Sequence, residues 1–343
     1  MDKSGLAQAI SAFGAVAREK LANTGAAGNP EDQLRAPFET LMPQLASAAG
    51  LAQSIVLVGE TPHAETGTRP DYSVTAGAKA KALIGYVELK APGKGFDPRR
   101  FTDAHDKAQW TKLRALPNLL YSDGNGFSLW RDGEIVGKPV PLDGDIETSG
   151  AKLAAPDALL SLVHDFLTWN PEPPKKPEAL ATTAARLCRF LRDEVLEQLQ
   201  EDNAELKELA KDWRALLFPD ASDERFADGY AQAVTFGLLM AKSRKLELAN
   251  GLDPVAKELG KTDTLIGAAL RLLTEQEVLG PSLDTLVRVL DVVDWDVIAK
   301  GDPEAWLYFY EQFLAVYDNK LRKLTGSYYT PPGSGAGDGA PLR

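Results

Sequence analysis

The chain has 343 residues, 44% of them hydrophobic, which is enough for two or three domains with sizeable cores. Its formal net charge of −11 argues against a generally basic nucleic-acid-binding protein. Cys188 is the single cysteine, which excludes an internal disulfide framework and a cysteine-rich zinc site, and its apolar neighbours predict a core position. We expect a cytoplasmic protein outside the membrane, because the chain shows neither a signal peptide nor an apolar run of about 18 residues.

Two helices are predicted before the first strand. Apolar spacing predicts a helix over residues 5–23, and Asn29–Asp32 is a start signal for a second one. Glu39 lies among the apolar positions of the second helix, where it either faces solvent or points toward the following strands. Residues 54–58 are typical of a short apolar strand.

The polar loop of residues 59–69 leads to the stretch around which we expect the first domain to be built. Its His63 is either a substrate contact or a solvated side chain. Residues 70–74 begin a strand, residues 77–81 are turn-forming, and residues 83–90 are typical of a mostly buried strand. The two strands are therefore predicted to pair as a hairpin.

Three charged residues of this hairpin are predicted to converge. Asp71 lies near the start of one strand, and Glu88 and Lys90 end the other on one face, with Leu89 opposite. The group suits metal-assisted phosphodiester cleavage, because Mg²⁺ prefers oxygen ligands, to which the Leu89 carbonyl adds one. Lys90 would orient or deprotonate the attacking water and offset phosphate charge. The alternative is a chance spacing of common charged residues.

The surrounding chain is locally basic. From Lys79 to Arg114 there are nine Lys or Arg residues against four Asp or Glu residues. Such a face can guide DNA, although a solvated loop surface explains the charge equally well. The glycine-rich turn of residues 91–95 lacks the spacing of a nucleotide-binding loop. The basic side chains that we expect to contact DNA are Lys94, Arg99, Arg100 and Lys107.

Residues 97–116 are predicted to form one helix, which carries Gln109. A second hairpin follows over residues 119–134, with turns at Asp-Gly and Asn-Gly pairs. Residues 1–170 are therefore predicted to form a compact α/β domain of three or four strands flanked by helices.

A proline-rich linker, which we place at residues 171–177, is predicted to follow this domain. Four prolines in residues 170–177 favour a stiff, extended connection. Helical apolar spacing then predicts an all-α connector domain over residues 178–324. Residues 325–343 end in a glycine-rich stretch without core-forming side chains, which we expect to be disordered.

The run Pro70-Asp71…Glu88-Leu89-Lys90 resembles the motif of the PD-(D/E)XK nucleases. The resemblance implies that the two acidic residues hold the metal, that the lysine serves the attacking water, and that Gln109 supports the site. In several such families a Glu on the preceding helix joins the metal shell, which makes Glu39 a candidate. The tyrosine that often follows four residues after the Gln is Leu113 here.

Three further runs resemble the N-terminal part of large restriction–modification polypeptides: Leu116–Asn125, Phe226–Thr235 and Lys323–Pro331. The resemblance spans residues 30–332 and implies a Mg²⁺-dependent DNA endonuclease of a restriction or phage-defence system. In that family, of Type ISP or IIG kind, a nuclease and a helical connector precede an adenine-N6 DNA methyltransferase. The chain departs from the methyltransferase pattern after Pro331, so S-adenosylmethionine is expected only in an intact parent enzyme.

Two functions remain open. The first is a DNA endonuclease module, and the second is a catalytically silent DNA-binding or assembly fragment of a split or truncated methyltransferase. A large apolar patch near residues 302–330 would favour the second. The expected partners are DNA, a methyltransferase chain or domain, and a second copy of this chain on DNA.

Overall fold

The computed structural model describes residues 1–23, 29–51, 54–59, 70–76, 82–201, 203–216, 219–248, 252–262 and 281–318. They fall into two compact units, which we describe one at a time. The first unit contains the described residues of 1–171, 193–207 and 278–285, and the second those of 172–192, 208–277 and 286–343. The predictions for His63, for the turn of residues 77–81 and for residues 325–343 lie outside the described residues.

A six-stranded mixed sheet runs through the first unit, with strands β1 to β6 in chain order. β3 and β4 are parallel, and the other neighbouring pairs are antiparallel. The strands are β1 Ile55–Gly59, β2 Tyr72–Ala76, β3 Ala82–Leu89, β4 Leu119–Ser122, β5 Gly126–Arg131 and β6 Glu134–Pro141. The prediction of three or four strands is wrong. An edge strand such as β6 tolerates Gly137 and Pro139, which in a sequence signal the end of a strand.

The described helices around the sheet are α1 Lys3–Leu21, which packs on α2, and α2 Pro30–Ala48, α3 Ala104–Leu113 and α4 Ala158–Leu167. As predicted, α2 begins after Asn29, whose capping box with Asp32 satisfies the first backbone N–H groups. One continuous core joins α1, α2 and α4 to one sheet face, and it includes Leu6, Phe13, Leu34, Phe38, Leu89, Leu120, Phe127 and Phe166.

The third helix, α3, covers the other face of the sheet. The ring of Trp110 lies 5.8 Å from that of Tyr121 and 4.9 Å from that of Trp130, with both pairs edge to face. Along their strands, Tyr121 and Trp130 alternate with side chains that belong to the core described above. They therefore point to the opposite face of the sheet. Polar side chains that share this second face can therefore meet α3.

The prediction of one helix over residues 97–116 is wrong at its start. A short 3₁₀ turn occupies Pro98–Arg100, and α3 begins only at Ala104. Two caps explain the interruption: the Asp97 side chain accepts a hydrogen bond from the Arg99 N–H, and the Asp103 side chain accepts from two N–H groups of α3. Each cap starts its own helical segment, because a capping residue is itself not helical.

The predicted hairpin is present as the antiparallel pair β2–β3. Tyr72 pairs with Val87, and Leu89 packs into the core while its neighbour Glu88 lies on the other face. On the far side of β3, the Lys90 N–H donates to the Ser122 carbonyl of the parallel strand β4 at 2.8 Å. The end of β3 is therefore fixed from both sides.

The second unit is helical throughout its described part, as the sequence predicts. The remaining helices of the described residues, three of which extend into the first unit, are α5 Pro177–Gln200, α6 Ala204–Leu216, α7 Asp223–Ser243, α8 Leu252–Thr262, α9 Pro281–Asp291, α10 Trp295–Ala299 and α11 Ala305–Tyr317. Cys188 is fully buried, which raises the pKa of its thiol to about 12 and agrees with its predicted core position. Among the described helices, none has the length and apolar character needed to span a bilayer.

We predict that Gly85→Ala destabilises the first unit by about 1–3 kcal/mol, because the added methyl group overpacks a rigid contact. A Cβ atom on Gly85 would lie 2.5 Å from the backbone oxygen of Asn118. The Asn118 amide joins β3 to α4 by donating to the carbonyls of Ile84 and Phe166. Urea unfolding followed by circular dichroism measures the loss.

The matched control is Gly59→Ala on β1, where an added Cβ would be 3.5 Å from its nearest neighbour in the Tyr72 ring, an ordinary contact. The control should unfold at nearly the wild-type urea concentration. Equal unfolding midpoints for the two variants would contradict the packing assigned to Gly85.

Candidate functional site

Three charged side chains meet where β3 ends beside the start of β2. The Lys90 ammonium donates to Glu88 Oε1 at 2.7 Å, and Asp71 Oδ2 accepts from the Leu89 N–H at 2.7 Å. Asp71, Glu88 and Lys90 are 8%, 1% and 3% exposed. The structure thus brings together the three residues that the hairpin pattern places side by side, and withdraws all three from water.

Helix α3 holds the lysine from the other side. Gln109 Oε1 accepts from Lys90 Nζ at 2.5 Å, and Asp106, one turn earlier, has Oδ1 3.8 Å from the same nitrogen. Asp106 also accepts from Lys94 Nζ at 3.0 Å. Gln109 therefore contacts the site as expected, whereas Asp106 was missed, although its i−3 spacing from Gln109 puts both on one helix face.

Helix α2 supplies two further charged side chains, Glu31 and Arg35, which the sequence analysis did not single out. Arg35 donates a hydrogen bond to Asp71 Oδ1. Glu31 lies in the first helical turn, and its charge acts on Glu88 and Lys90. Glu31, Arg35 and Glu39 are spaced by four residues and share one helix face, so counting back from Glu39 would have found them.

Glu39 itself lies farther along this face. Its side chain is exposed, and Oε1 accepts from the Tyr72 hydroxyl at 3.0 Å. Burial raises the pKa of Tyr72, and the hydrogen bond to Glu39 raises it further. The helix glutamate whose charge acts directly on the buried group is therefore Glu31, and a metal role for Glu39 stays a prediction.

The carboxyl groups of the site are largely withdrawn from water and lie near one another. Glu88 Oε2 is buried without a hydrogen-bond partner. Burial, with the nearby charge of Asp71, raises the pKa of Glu88 to about 8 and that of Glu31 to about 7. Burial also raises the pKa of Asp71, although Arg35 and the Leu89 N–H act in the opposite direction. A cation beside these oxygens would reverse each of these shifts.

The lysine is held in its charged form. Burial opposes its charge, but the carboxylates of Glu88 and Glu31 prevail and raise the pKa of Lys90 above its ordinary value. A protonated ammonium donates hydrogen bonds and cannot accept a proton. In the protein without a metal ion, Lys90 is therefore a hydrogen-bond donor, which suits orienting water and offsetting phosphate charge.

The glycine-rich loop after β3 is shaped by backbone contacts. Gly93 and Gly95 have φ angles of 81° and 94°, which side chains with a Cβ rarely adopt. Asp123, buried at the end of β4, accepts from the Gly95 N–H at 3.1 Å. This clamp places Lys94 beside Asp106, so the loop carries its lysine next to the buried group.

The other basic residues that we expect to contact DNA differ in their exposure and in their ion pairs. Arg99 forms hydrogen bonds with Asp97 at 2.9 and 2.7 Å, and its guanidinium lies 5.2 Å from the centre of the Trp130 ring. Arg100 is 86% exposed, with Nε 3.7 Å from Asp97. Lys107 is exposed on α3. Arg100 and Lys107 are therefore the more accessible pair.

A second carboxylate group lies at the start of α3. Ligand atoms of Asp103, His105 and Asp106 all lie within 4.8 Å of one another. Asp103 already caps α3, and Asp106 already binds Lys94. These contacts explain the group without a metal ion.

No protein-family model and no curated protein matches the chain. The chain is similar to a chain of the cryo-EM structure of a DrdV–DNA complex, with 19% sequence identity and a TM-score of 0.31. The match covers 95% of this chain and 30% of that one, so the protein spans less than a third of the matched chain.

We predict that Glu31→Gln stabilises the protein more at pH 8 than at pH 5. Because the pKa of Glu31 is about 7 in the folded chain against an ordinary 4.5, the folded state binds the extra proton between these values. The contribution of Glu31 to the free energy of unfolding therefore falls as the pH rises from its ordinary pKa to its pKa in the folded chain. Glutamine does not titrate, so Glu31→Gln removes this pH-dependent loss of stability. Melting temperatures of both proteins, measured by circular dichroism without added metal from pH 5 to 8.5, give the difference.

Glu39→Gln is the matched control, because it makes the same substitution two turns along the same helix at an exposed position. Its melting temperature at each pH is the reference against which the Glu31→Gln difference is compared. A Glu31→Gln difference that stays constant or shrinks as the pH rises would contradict the placement of Glu31.

Proposed function

We propose that the first unit is a metal-dependent DNA endonuclease with a PD-(D/E)XK fold. The observation that carries the proposal is the convergence of Asp71, Glu88 and Lys90 in a buried group with a free carboxylate oxygen, Glu88 Oε2. Buried charges of this kind are costly unless paired or bound to a metal. Their position at the end of a β-hairpin, supported by Gln109 from the next helix, supports the same assignment.

The donor set fits Mg²⁺. Asp71, Glu88 and Glu31 offer carboxylate oxygens, the hard ligands that this ion prefers, and the unpartnered Glu88 oxygen is a ready donor. The Leu89 carbonyl is a further candidate beside Asp71. When bound, the ion would polarise the phosphate and favour ionisation of a water molecule.

The protein side chains would divide the remaining work. Lys90, held by Glu88, Gln109 and Asp106, would donate hydrogen bonds to the attacking water or to the phosphate and offset negative charge. Gln109 would position that ammonium. Withdrawal from bulk water strengthens these electrostatic interactions.

DNA would follow the basic residues beside this group. Lys94 lies on the clamped glycine-rich loop, and Arg99, Arg100 and Lys107 continue along the chain toward α3. Backbone phosphates attract such residues without regard to base sequence. The helical unit would connect the nuclease to a methyltransferase chain or domain, which alone would bind S-adenosylmethionine, and double-strand cleavage would use two copies of the chain.

One observation favours the second candidate, a silent DNA-binding or assembly module. Leu307 and Tyr310 on α11 are large apolar side chains that are 45% and 38% exposed. They lie in the region where a partner-binding surface was expected. Single exposed apolar residues are common on protein surfaces, so the nuclease proposal remains the stronger one.

We predict metal-dependent nicking of supercoiled plasmid DNA by the wild-type chain in Mg²⁺ or Mn²⁺. Asp71→Asn and Lys90→Ala should lower the rate by at least about 100-fold, the scale on which a lost catalytic contact acts. EDTA should abolish the activity. Gel electrophoresis of the plasmid measures nicking, and circular dichroism establishes that each variant is folded.

The matched control is Lys138→Ala, which removes an exposed lysine from the edge strand β6. It should nick at close to the wild-type rate. Folded wild-type protein that binds DNA without nicking it would support the silent module, and nicking that survives Asp71→Asn would contradict the proposed site.

A further inference from the structure

Arg35 occupies an unusual position beside the proposed metal ligands. Its guanidinium donates to Asp71 Oδ1 while the Leu89 N–H donates to Oδ2, so both oxygens of Asp71 already have partners. The Arg35 side chain is 19% exposed and lies over the Tyr72 ring, 5.7 Å from its centre. A metal ion that takes Asp71 must therefore share Oδ2 with the Leu89 N–H, share Oδ1 with this arginine, or displace the arginine.

The arginine has unused hydrogen-bonding capacity. Its Nε is buried and has no hydrogen-bond partner. The carboxylate of Asp32, one turn earlier on α2, lies 3.6 Å from this nitrogen. A small rotation could exchange Asp71 for Asp32 or for an incoming anion, so release from Asp71 need not leave the guanidinium without a counter-charge.

The ionic contacts indicate where the arginine goes. Arg35 pairs with Asp71 and lies near Asp32, whereas Lys90 pairs with Glu88. A divalent cation on Asp71 would take over the charge that Arg35 now offsets. The guanidinium would then be available to the phosphodiester, because arginine binds phosphate through paired N–H donors.

We propose that Arg35 is an exchangeable counter-ion that holds Asp71 in the metal-free protein and binds a DNA backbone phosphate once a divalent cation takes Asp71. This inference rests on the proposed nuclease function and deepens it. It makes Arg35 both a barrier to metal binding without DNA and a phosphate contact after metal has bound. The two roles predict opposite effects of one substitution.

The first measurement is Mn²⁺ binding to the full chain without DNA, by isothermal titration calorimetry at pH 8. Arg35→Gln should bind Mn²⁺ on the order of tenfold more tightly than the wild type, because a competing cation has left Asp71. Arg35→Lys keeps a cation and should stay close to the wild type. Lys138→Gln removes one exposed positive charge from β6 and should also change little, which separates a local effect from net charge.

The second measurement is binding of a fluorescent DNA duplex by anisotropy, in Ca²⁺ and in EDTA, with a gel to establish that the duplex stays intact. Arg35→Gln should weaken DNA binding on the order of tenfold in Ca²⁺, because a charge-assisted phosphate contact is lost. In EDTA it should change DNA binding little, because there the wild-type arginine is engaged with Asp71.

The outcomes separate the two proposals. If the wild type binds Mn²⁺ and Asp71→Asn does not, but Arg35→Gln binds no more tightly than the wild type, the exchange is wrong and the metal site stands. If neither the folded wild type nor Arg35→Gln binds Mn²⁺, both proposals fail. Equal weakening of DNA binding in Ca²⁺ and in EDTA would show a permanent phosphate contact and overturn the exchange.

Discussion

The first unit depends on the burial of unlike charges at the end of β3. Lys90 lies among Glu88, Gln109 and Asp106, and Asp71 lies between Arg35 and the Leu89 N–H. Desolvating such groups costs several kcal/mol per ion, and removing one partner of a buried pair typically costs about 3–5 kcal/mol. A surface loop could not hold charges in this way, so the arrangement requires the strands and helices that surround it.

Each neighbouring element contributes one constraint. β2 brings Asp71 to the end of β3, and parallel β4 fixes the Lys90 backbone through Ser122. α3 approaches one face through Trp110 and lays Gln109 and Asp106 against the lysine, while α2 adds Arg35 from its first turns. The proposed metal site rests on this geometry, because a buried carboxylate oxygen without a partner, Glu88 Oε2, favours a cation.

Sequence reasoning found the part of the site that lies within one hairpin. The period of two in a strand places Glu88 and Lys90 on one face, and the turn-forming composition between the two predicted strands favours a hairpin, so local pattern suffices there. The four-residue spacing places Glu31 and Arg35 on the helix face of Glu39, but their contact with the buried group depends on how α2 packs against the sheet, which the spacing does not contain. The start of α3 was predicted wrongly for a different reason. Asp97 and Asp103 each cap a helical segment, and the spacing of apolar residues carries no information about caps.

The most direct test of the account is anomalous X-ray diffraction from crystals of the protein grown with Mn²⁺ near pH 8.5, above the pKa of about 8 to which burial raises Glu88. The account predicts an anomalous peak about 2.0–2.4 Å from carboxylate oxygens of Asp71 and Glu88. Density there and a guanidinium of Arg35 turned away from Asp71 would support both the metal site and the exchange. Well-ordered crystals with no peak at this position, or with a peak only at Asp103 and His105, would contradict the central claim.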